Sequence, residues 1–447
     1  MTGLRSKGLG TNIAITFLRQ GLGLVVTLGL VALIARTLGP DGQGKYALAI
    51  LLSTLIVILS NLGVPSANVY FIGRGDVSVN RALRTNVMLW VALSVIGVGI
   101  GAGIIRFFAD RWFPSVPEHM LWITLAGVPI SLLHAFLVSL LQGLQDFHRY
   151  NIVLFIQPVL AFVLTAVAIL GLQSGTEGAL WAYVLAWLLS LVFAWWALAP
   201  HVLAARMTPD EHRIKRYAKR CVGYGWRAQI ANNLAFFSYR SSTLLINFYM
   251  SPATTGLYVT AVAIAEKIWL LSQAASQVLL PRLSELHTDE ARRRRLTPLA
   301  TKLVFLVSMG IAVVLFVFAG PLIVGVFTDK YEPSIGALRW LLPGVVALSV
   351  ARGVSIDLAA RGRVDLNLYV AIVTLASIVV ASVLLIPRYG INGAAMATTL
   401  SYLLNTVIKL VLYHRITGIR WYELMVPKRA DVAVIKEKIA SVRRNDR

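Results

Sequence analysis

At 447 residues the chain is 57% hydrophobic and only 14% charged, with a mean hydropathy of +0.72. Soluble domains carry about a quarter charged residues, so the composition excludes a soluble globular protein and leaves a polytopic membrane protein. The formal charge of +22 raises first the question of where the charges sit relative to the bilayer, before any question of nucleic acid.

About 20 mostly apolar residues cross a bilayer. Twelve such runs are read, at roughly 12–37, 46–68, 85–107, 119–141, 151–171, 179–199, 222–249, 256–280, 299–326, 335–360, 367–386 and 391–413. They are too long and unbroken for β-barrel strands. The first extends well beyond a signal-peptide core and carries Arg19, so it is read as a span and not a leader. The expected class is therefore an all-α polytopic membrane protein with twelve transmembrane helices. Its expected parts are an N-terminal six-helix lobe (1–200), a cytoplasmic linker (201–220), a C-terminal six-helix lobe (221–415) and a basic cytoplasmic tail (416–447).

Loop charges set the orientation. With the N-terminus cytoplasmic, the inner segments hold most of the 42 basic residues, while the outer ones hold Arg36, Lys45, Arg106, Arg111, Lys330 and Arg388. The positive-inside rule thus places both termini in the cytoplasm, and attraction to anionic lipid absorbs the charge without nucleic acid. Within the linker, Thr208-Pro209-Asp210-Glu211 has the cap, proline and early acids of a helix start. In the tail, Val432, Ile435, Ile439 and Val442 recur at helical spacing among Lys and Arg, as in an amphipathic surface helix or a solubilising tail. One cysteine, Cys221, excludes an intrachain disulfide, and seven histidines without an H-E-x-x-H pattern point to no metal site.

The chain repeats itself. Gly39, Pro40, Gly44 and Tyr46 lie between two long apolar runs, and Pro252, Gly256 and Tyr258 recur between two others with the same Pro, Gly and Tyr spacing. Val64-Pro65 and Leu280-Pro281 keep nearly that offset, as do Gly175, Gly178 and Ala179 against Gly390, Gly393 and Ala394. A same-direction duplication of this size requires an even number of spans per half, here six.

Charges inside the apolar runs are costly unless they pair, snorkel or face water. In span seven, Gln229, Asn233, Arg240, Thr243 and Asn247 share one helical face. Arg240 lies roughly 13 Å from the outer end at 1.5 Å per residue. Such a stripe is expected to line a central cavity or form an interhelical seam. Arg227, off that face and near the inner end, is the weaker cavity residue. Span one carries Arg19 with Gln20 beside it, at the equivalent place in the repeat. Span eight adds Glu266 and Lys267; Glu266 reads either as a proton- or sodium-responsive carboxylate or as a structural partner of Arg240 or Arg19. In span ten, Arg352 and Asp357 occupy the inner half, and Asp357 can reach Arg361 one turn on and is the second possible ion-coupling group. Lys409 and Arg339 read as interfacial anchors or as buried cations. The net excess of cations near mid-membrane suits an anion, and the arginine fork suits phosphate. No nucleophile constellation is visible, so the reading is a transporter and not an enzyme.

Ala35-Arg-Thr-Leu-Gly-Pro40 with Gly44-Lys-Tyr-Ala47, Leu62-Gly-Val-Pro65, Leu141-Gln-Gly-Leu-Gln-Asp-Phe-His-Arg-Tyr-Asn151 and Gly175-Thr-Glu-Gly-Ala179 closely resemble the bacterial polysaccharide and O-antigen flippase family. Its superfamily also holds the multidrug and toxin extrusion transporters and the lipid II flippase. The resemblance implies two pseudo-symmetric six-helix bundles around a central cavity with alternating access. It also implies transfer of undecaprenyl-diphosphate-linked oligosaccharide units to the outer leaflet of the bacterial inner membrane, with a polymerase or export machinery downstream. The cavity arginines of that family correspond by location to Arg19, Arg240 and Arg227. No cofactor is expected beyond a proton or sodium gradient. The competing classes are an ion-coupled drug exporter, which wants an acidic, aromatic cavity, and a non-transporting membrane scaffold.

Overall fold

The computed structural model describes residues 4–204, 214–270, 272–273, 279, 283 and 289–426. The expected helix start at 208–211 and the amphipathic tail at 432–442 lie outside the described residues. Every long element is a helix. In order these are α1 (Leu4–Ser60), α2 (Val64–Gly73), α3 (Val79–Trp112), α4 (Glu118–Gly143), α5 (Phe147–Ala166, extended by a π turn, Val167–Gly171), α6 (Gly175–Ala204) and α7 (Ile214–Tyr249). They continue with α8 (Pro252–Ala265, followed by a 3-10 turn, Glu266–Ile268), α9 (Glu290–Val317), α10 (Ala319–Phe327), α11 (Ser334–Ala360), α12 (Val364–Thr417) and α13 (Trp421–Met425).

Eight helices among the described residues are long and apolar enough to cross a membrane. Two of them are double-length: α1 breaks at Gly39 (φ 66°, ψ −176°) and α12 at Gly390 (φ 57°, ψ −134°). A residue with a Cβ rarely adopts such angles, so glycine sets both breaks, and each flanking run is at least about 30 Å long at 1.5 Å per residue. The runs expected as spans seven and eight correspond to α7, 36 residues long but too polar for that criterion, and to α8 with its 3-10 turn.

Local chemistry starts and stops the helices. The Ser78, Asp146 and Asp289 side chains accept the backbone N–H three residues on, at 3.3, 3.1 and 3.0 Å, capping α3, α5 and α9. Proline opens α2 and α8, where its missing N–H costs nothing. Asp146 also meets His201 Nε2 at 2.9 Å. Burial alone would raise the Asp146 pKa, but the bonds from His201 and the Arg149 N–H, with the Arg149 charge, hold it below the usual carboxylate range.

The chain packs as two compact units: Met1–Thr260 with Ile323–Ser334, and Ala261–Leu322 with Ile335–Arg447. In the first, Leu48, Leu52 and Ile56 of α1 pack with Ile105 of α3, Leu121 and Leu125 of α4 and Leu180 of α6. A second core joins Phe71 of α2, Leu140 of α4, Val153 of α5 and Leu198 of α6 to Tyr217 and Cys221 at the start of α7.

Two glycine seams hold α7 and the first half of α8 within this unit. A Cβ on Gly44 would overlap the Pro252 carbonyl oxygen, and one on Gly256 would overlap that of Pro40, so the repeated turns touch reciprocally. Thr260 Oγ1 donates to Gln43 Oε1 at 3.1 Å beside them. At the other end of α7, Gly63 (φ +72°) and Gly225 pack backbone on backbone, each leaving no room for a Cβ on the other. Residues 323–334 complete the unit: Arg36 donates to the Gly325 and Val326 carbonyls, the Ser334 hydroxyl to the Leu257 carbonyl. In the second unit, Val350, Val354 and Leu358 of α11 pack with Tyr413 of α12 and with Ile419 and Leu424 around α13.

Candidate functional site

In the first unit, α1 carries Arg19 and Gln20, both half-buried. The Arg19 guanidinium is an electrostatic neighbour of the Tyr150 phenol, near the start of α5, and its buried Nε has no hydrogen-bond partner among the described residues. A buried guanidinium N–H without an acceptor is costly, and it is a donor ready for an anionic or hydroxyl-rich ligand.

The α7 stripe is partly self-satisfied. Gln229 Nε2 donates to Asn233 Oδ1 at 2.9 Å, one turn on, and reaches the Ile58 carbonyl at 3.5 Å. Asn247 is buried and donates to the Trp112 carbonyl at 3.2 Å, so the C-terminal end of the stripe is an interhelical seam with α3. Arg240 is half-buried and engages neighbours in place. The Arg227 side chain lies outside the described residues.

In the second unit, the Arg352 guanidinium stacks over the Trp269 ring at 4.2 Å from its centroid, an arrangement worth more where water is excluded. Lys409 of α12 lies within electrostatic reach of Arg352. Trp269 follows directly on the 3-10 turn that carries Glu266 and Lys267, both half-buried and both engaged with neighbours. The Tyr402 ring lies tilted against Trp269, 6.0 Å between ring centroids. Arg339 is held elsewhere, donating to the Phe316 carbonyl at 3.2 Å.

Asp357 is fully buried. Its carboxylate accepts from Arg293 Nη2 at 2.9 Å, from Arg361 Nε at 3.0 Å and from the Tyr413 hydroxyl at 2.8 Å. Arg361 extends the chain to Glu290 at 2.9 Å. Burial works against the Arg361 charge, but Glu290 and Asp357 outweigh it and hold its pKa above the usual value.

Three participants have no signal in a linear reading. Tyr150 and Trp269 are aromatic residues among many in apolar runs, and nothing local marks them as neighbours of arginine. Loop counting assigns Arg293 to the inner surface, whereas it is 4% exposed against Asp357. Among the described residues no group of three or more His, Cys, Asp or Glu could hold a metal ion.

The family described as "Polysaccharide biosynthesis protein" matches residues 33–336. Among curated relatives, a probable flippase, AglR, of Haloferax volcanii is 27% identical over 193 residues, covering 41% of this chain and 39% of that protein. The capsular polysaccharide biosynthesis protein CapF of Staphylococcus aureus is 28% identical over 166 residues, 36% of this chain and 42% of that protein. The matched stretches thus span about two fifths of the length of these relatives. Among solved structures, the lipid II flippase MurJ in an inward closed conformation superposes with a TM-score of 0.73 at 14% identity, covering 89% of this chain and 87% of that one. An inward-facing multidrug resistance transporter of the MATE family gives 0.65 at 15% identity, covering 90% and 98%. At such identities the structural likeness speaks for the fold alone.

Proposed function

Because the chain belongs to the polysaccharide biosynthesis protein family, we propose that it is a membrane transporter that flips polyprenyl-diphosphate-linked oligosaccharide units across the bilayer. The loop charges support a plasma-membrane orientation with both termini cytoplasmic and transfer from the cytoplasmic to the outer leaflet. Undecaprenyl diphosphate is the carrier this reading favours, with a polymerase or export machinery taking up the product.

The observation that carries it is Arg19, whose buried Nε has no acceptor among the described residues. A diphosphate entering beside α1 supplies that acceptor. Its oxygens take the two parallel N–H bonds that a guanidinium offers, which offsets part of the cost of removing the headgroup from water. In the same unit as Arg19, Gln20, Gln229 and Asn233 offer amides suited to sugar hydroxyls, and Arg240 adds a second cation. The polyprenyl chain stays in lipid. No bond is made or broken, so no catalytic group is needed. A proton or sodium gradient is the proposed driving force. Glu266 is the better coupling carboxylate, since Asp357 is already saturated by two arginines and a phenol.

The test is leaflet transfer of a defined lipid-linked oligosaccharide in vesicles containing the purified chain. Arg19→Gln is expected to slow transfer at least tenfold with unchanged thermal stability, and Arg240→Gln to slow it less. Equal rates for Arg19→Gln and the unaltered protein would overturn the anion-cradle role. Efflux of a cationic dye from the same vesicles, without lipid transfer, would replace it with the drug-exporter reading.

A further inference from the structure

Away from the polar residues, the first unit contains an apolar cavity of about 760 Å³ enclosed by the second half of α1, the last turns of α3 and the last turns of α7. That volume lies in the range of sites that hold small apolar ligands, roughly 300–1,000 Å³. Leu52 and Ile56 form its floor, Phe237 and Leu244 one wall, and Arg111 and Trp112 its rim. Leu59, Phe108, Trp112 and Phe248 are exposed, so the cavity opens sideways. It exists because α7 is pinned at two places, to the turn between α1 and α2 at Gly63–Gly225 and to α3 at Asn247–Trp112, while large side chains keep the helices apart between them.

The rim carries the second observation. Arg111 is exposed and makes no ion pair or hydrogen bond among the described residues. Asp110, its neighbour in sequence, points about 100° away around the helix and takes no part in lining the cavity. Along α3 the lining runs from Ile104 to Trp112 and along α7 from Phe237 to Phe248, roughly 12 and 16 Å at 1.5 Å per residue. That is about half of the roughly 30 Å hydrocarbon core, the depth of one leaflet.

We propose that this slot binds one acyl chain of an anionic phospholipid, with its phosphate against Arg111 and Trp112 at the headgroup level. The depth suits a phospholipid chain and not an isoprenoid long enough to cross the bilayer, and the lone cation supplies the preference for negative charge. With the orientation read from the loop charges, the lipid belongs to the outer leaflet. The inference does not depend on the transport reading.

Native mass spectrometry of the delipidated full chain, titrated with phosphatidylglycerol and with phosphatidylcholine, tests it. The expected result is one saturable phosphatidylglycerol site, about fivefold tighter than for phosphatidylcholine. Arg111→Gln is expected to erase that preference, and Leu245→Trp, which fills the slot, to abolish saturable binding with unchanged thermal stability. Equal affinity for the two lipids, or unaltered binding in both variants, would overturn the proposal. So would displacement of phosphatidylglycerol by polyprenyl phosphate at lower concentration than by phosphatidylglycerol itself, which would give the slot to an isoprenoid chain.

Discussion

Asp357 is the counter-charge of Arg293, which is 4% exposed, and shares Arg361 with Glu290. Asp357→Asn keeps the shape but leaves Arg293 charged and unpaired in a nearly dry site. Breaking a buried pair from one side costs about 3–5 kcal/mol, so thermal unfolding in detergent is expected to fall steeply for this variant. Replacing both partners, as Arg293→Met with Asp357→Leu, is expected to recover much of the loss, because no charge is then left stranded. If Asp357 instead couples transport to an ion, Asp357→Asn stops transfer while stability holds; the two measurements separate these roles. The expectation that Asp357 reaches Arg361 was legible, because i and i+4 share a helix face. The Arg293 partnership was not, because it joins α9 to α11 through space.

At the element scale the repeated turns show why the motif contains glycine. Gly44 and Gly256 sit where two backbones come closest, and each would drive a Cβ into the carbonyl oxygen of the other's proline. Carbonyl groups cannot rotate aside as side chains can. Gly44→Ala is therefore expected to destabilise the protein by about 1–3 kcal/mol. Gly256→Ala is expected to do the same, and the double variant less than additively, since both push one seam apart. Gly21→Ala is the control: nothing lies within 4 Å of its would-be Cβ, so replacing a mid-helix glycine there is expected to be neutral or to stabilise by up to about 1 kcal/mol. Denaturation midpoints of the four variants decide this. The spacing of the motif could be read from the chain; that its two copies meet face to face could not.

For the whole molecule, the loop charges predict that Ser115, between α3 and α4, and Gln145, between α4 and α5, lie on opposite sides of the membrane. Both are exposed turn residues. In a Cys221→Ala background, Ser115→Cys is expected to react with an impermeant maleimide in intact cells, and Gln145→Cys only after permeabilisation; the reverse pattern would invert the assigned topology. The linear sequence by itself determined the class of the molecule, its long apolar helices and the places where glycine and proline break them. Those follow from the length of a bilayer crossing and from backbone angles, both of which are local quantities. Only the tertiary structure decided that α7 packs with the first six helical runs, that Arg352 lies on Trp269 and that an apolar slot ends at Arg111. Each of these depends on distances between segments far apart in the chain, which hydropathy does not encode.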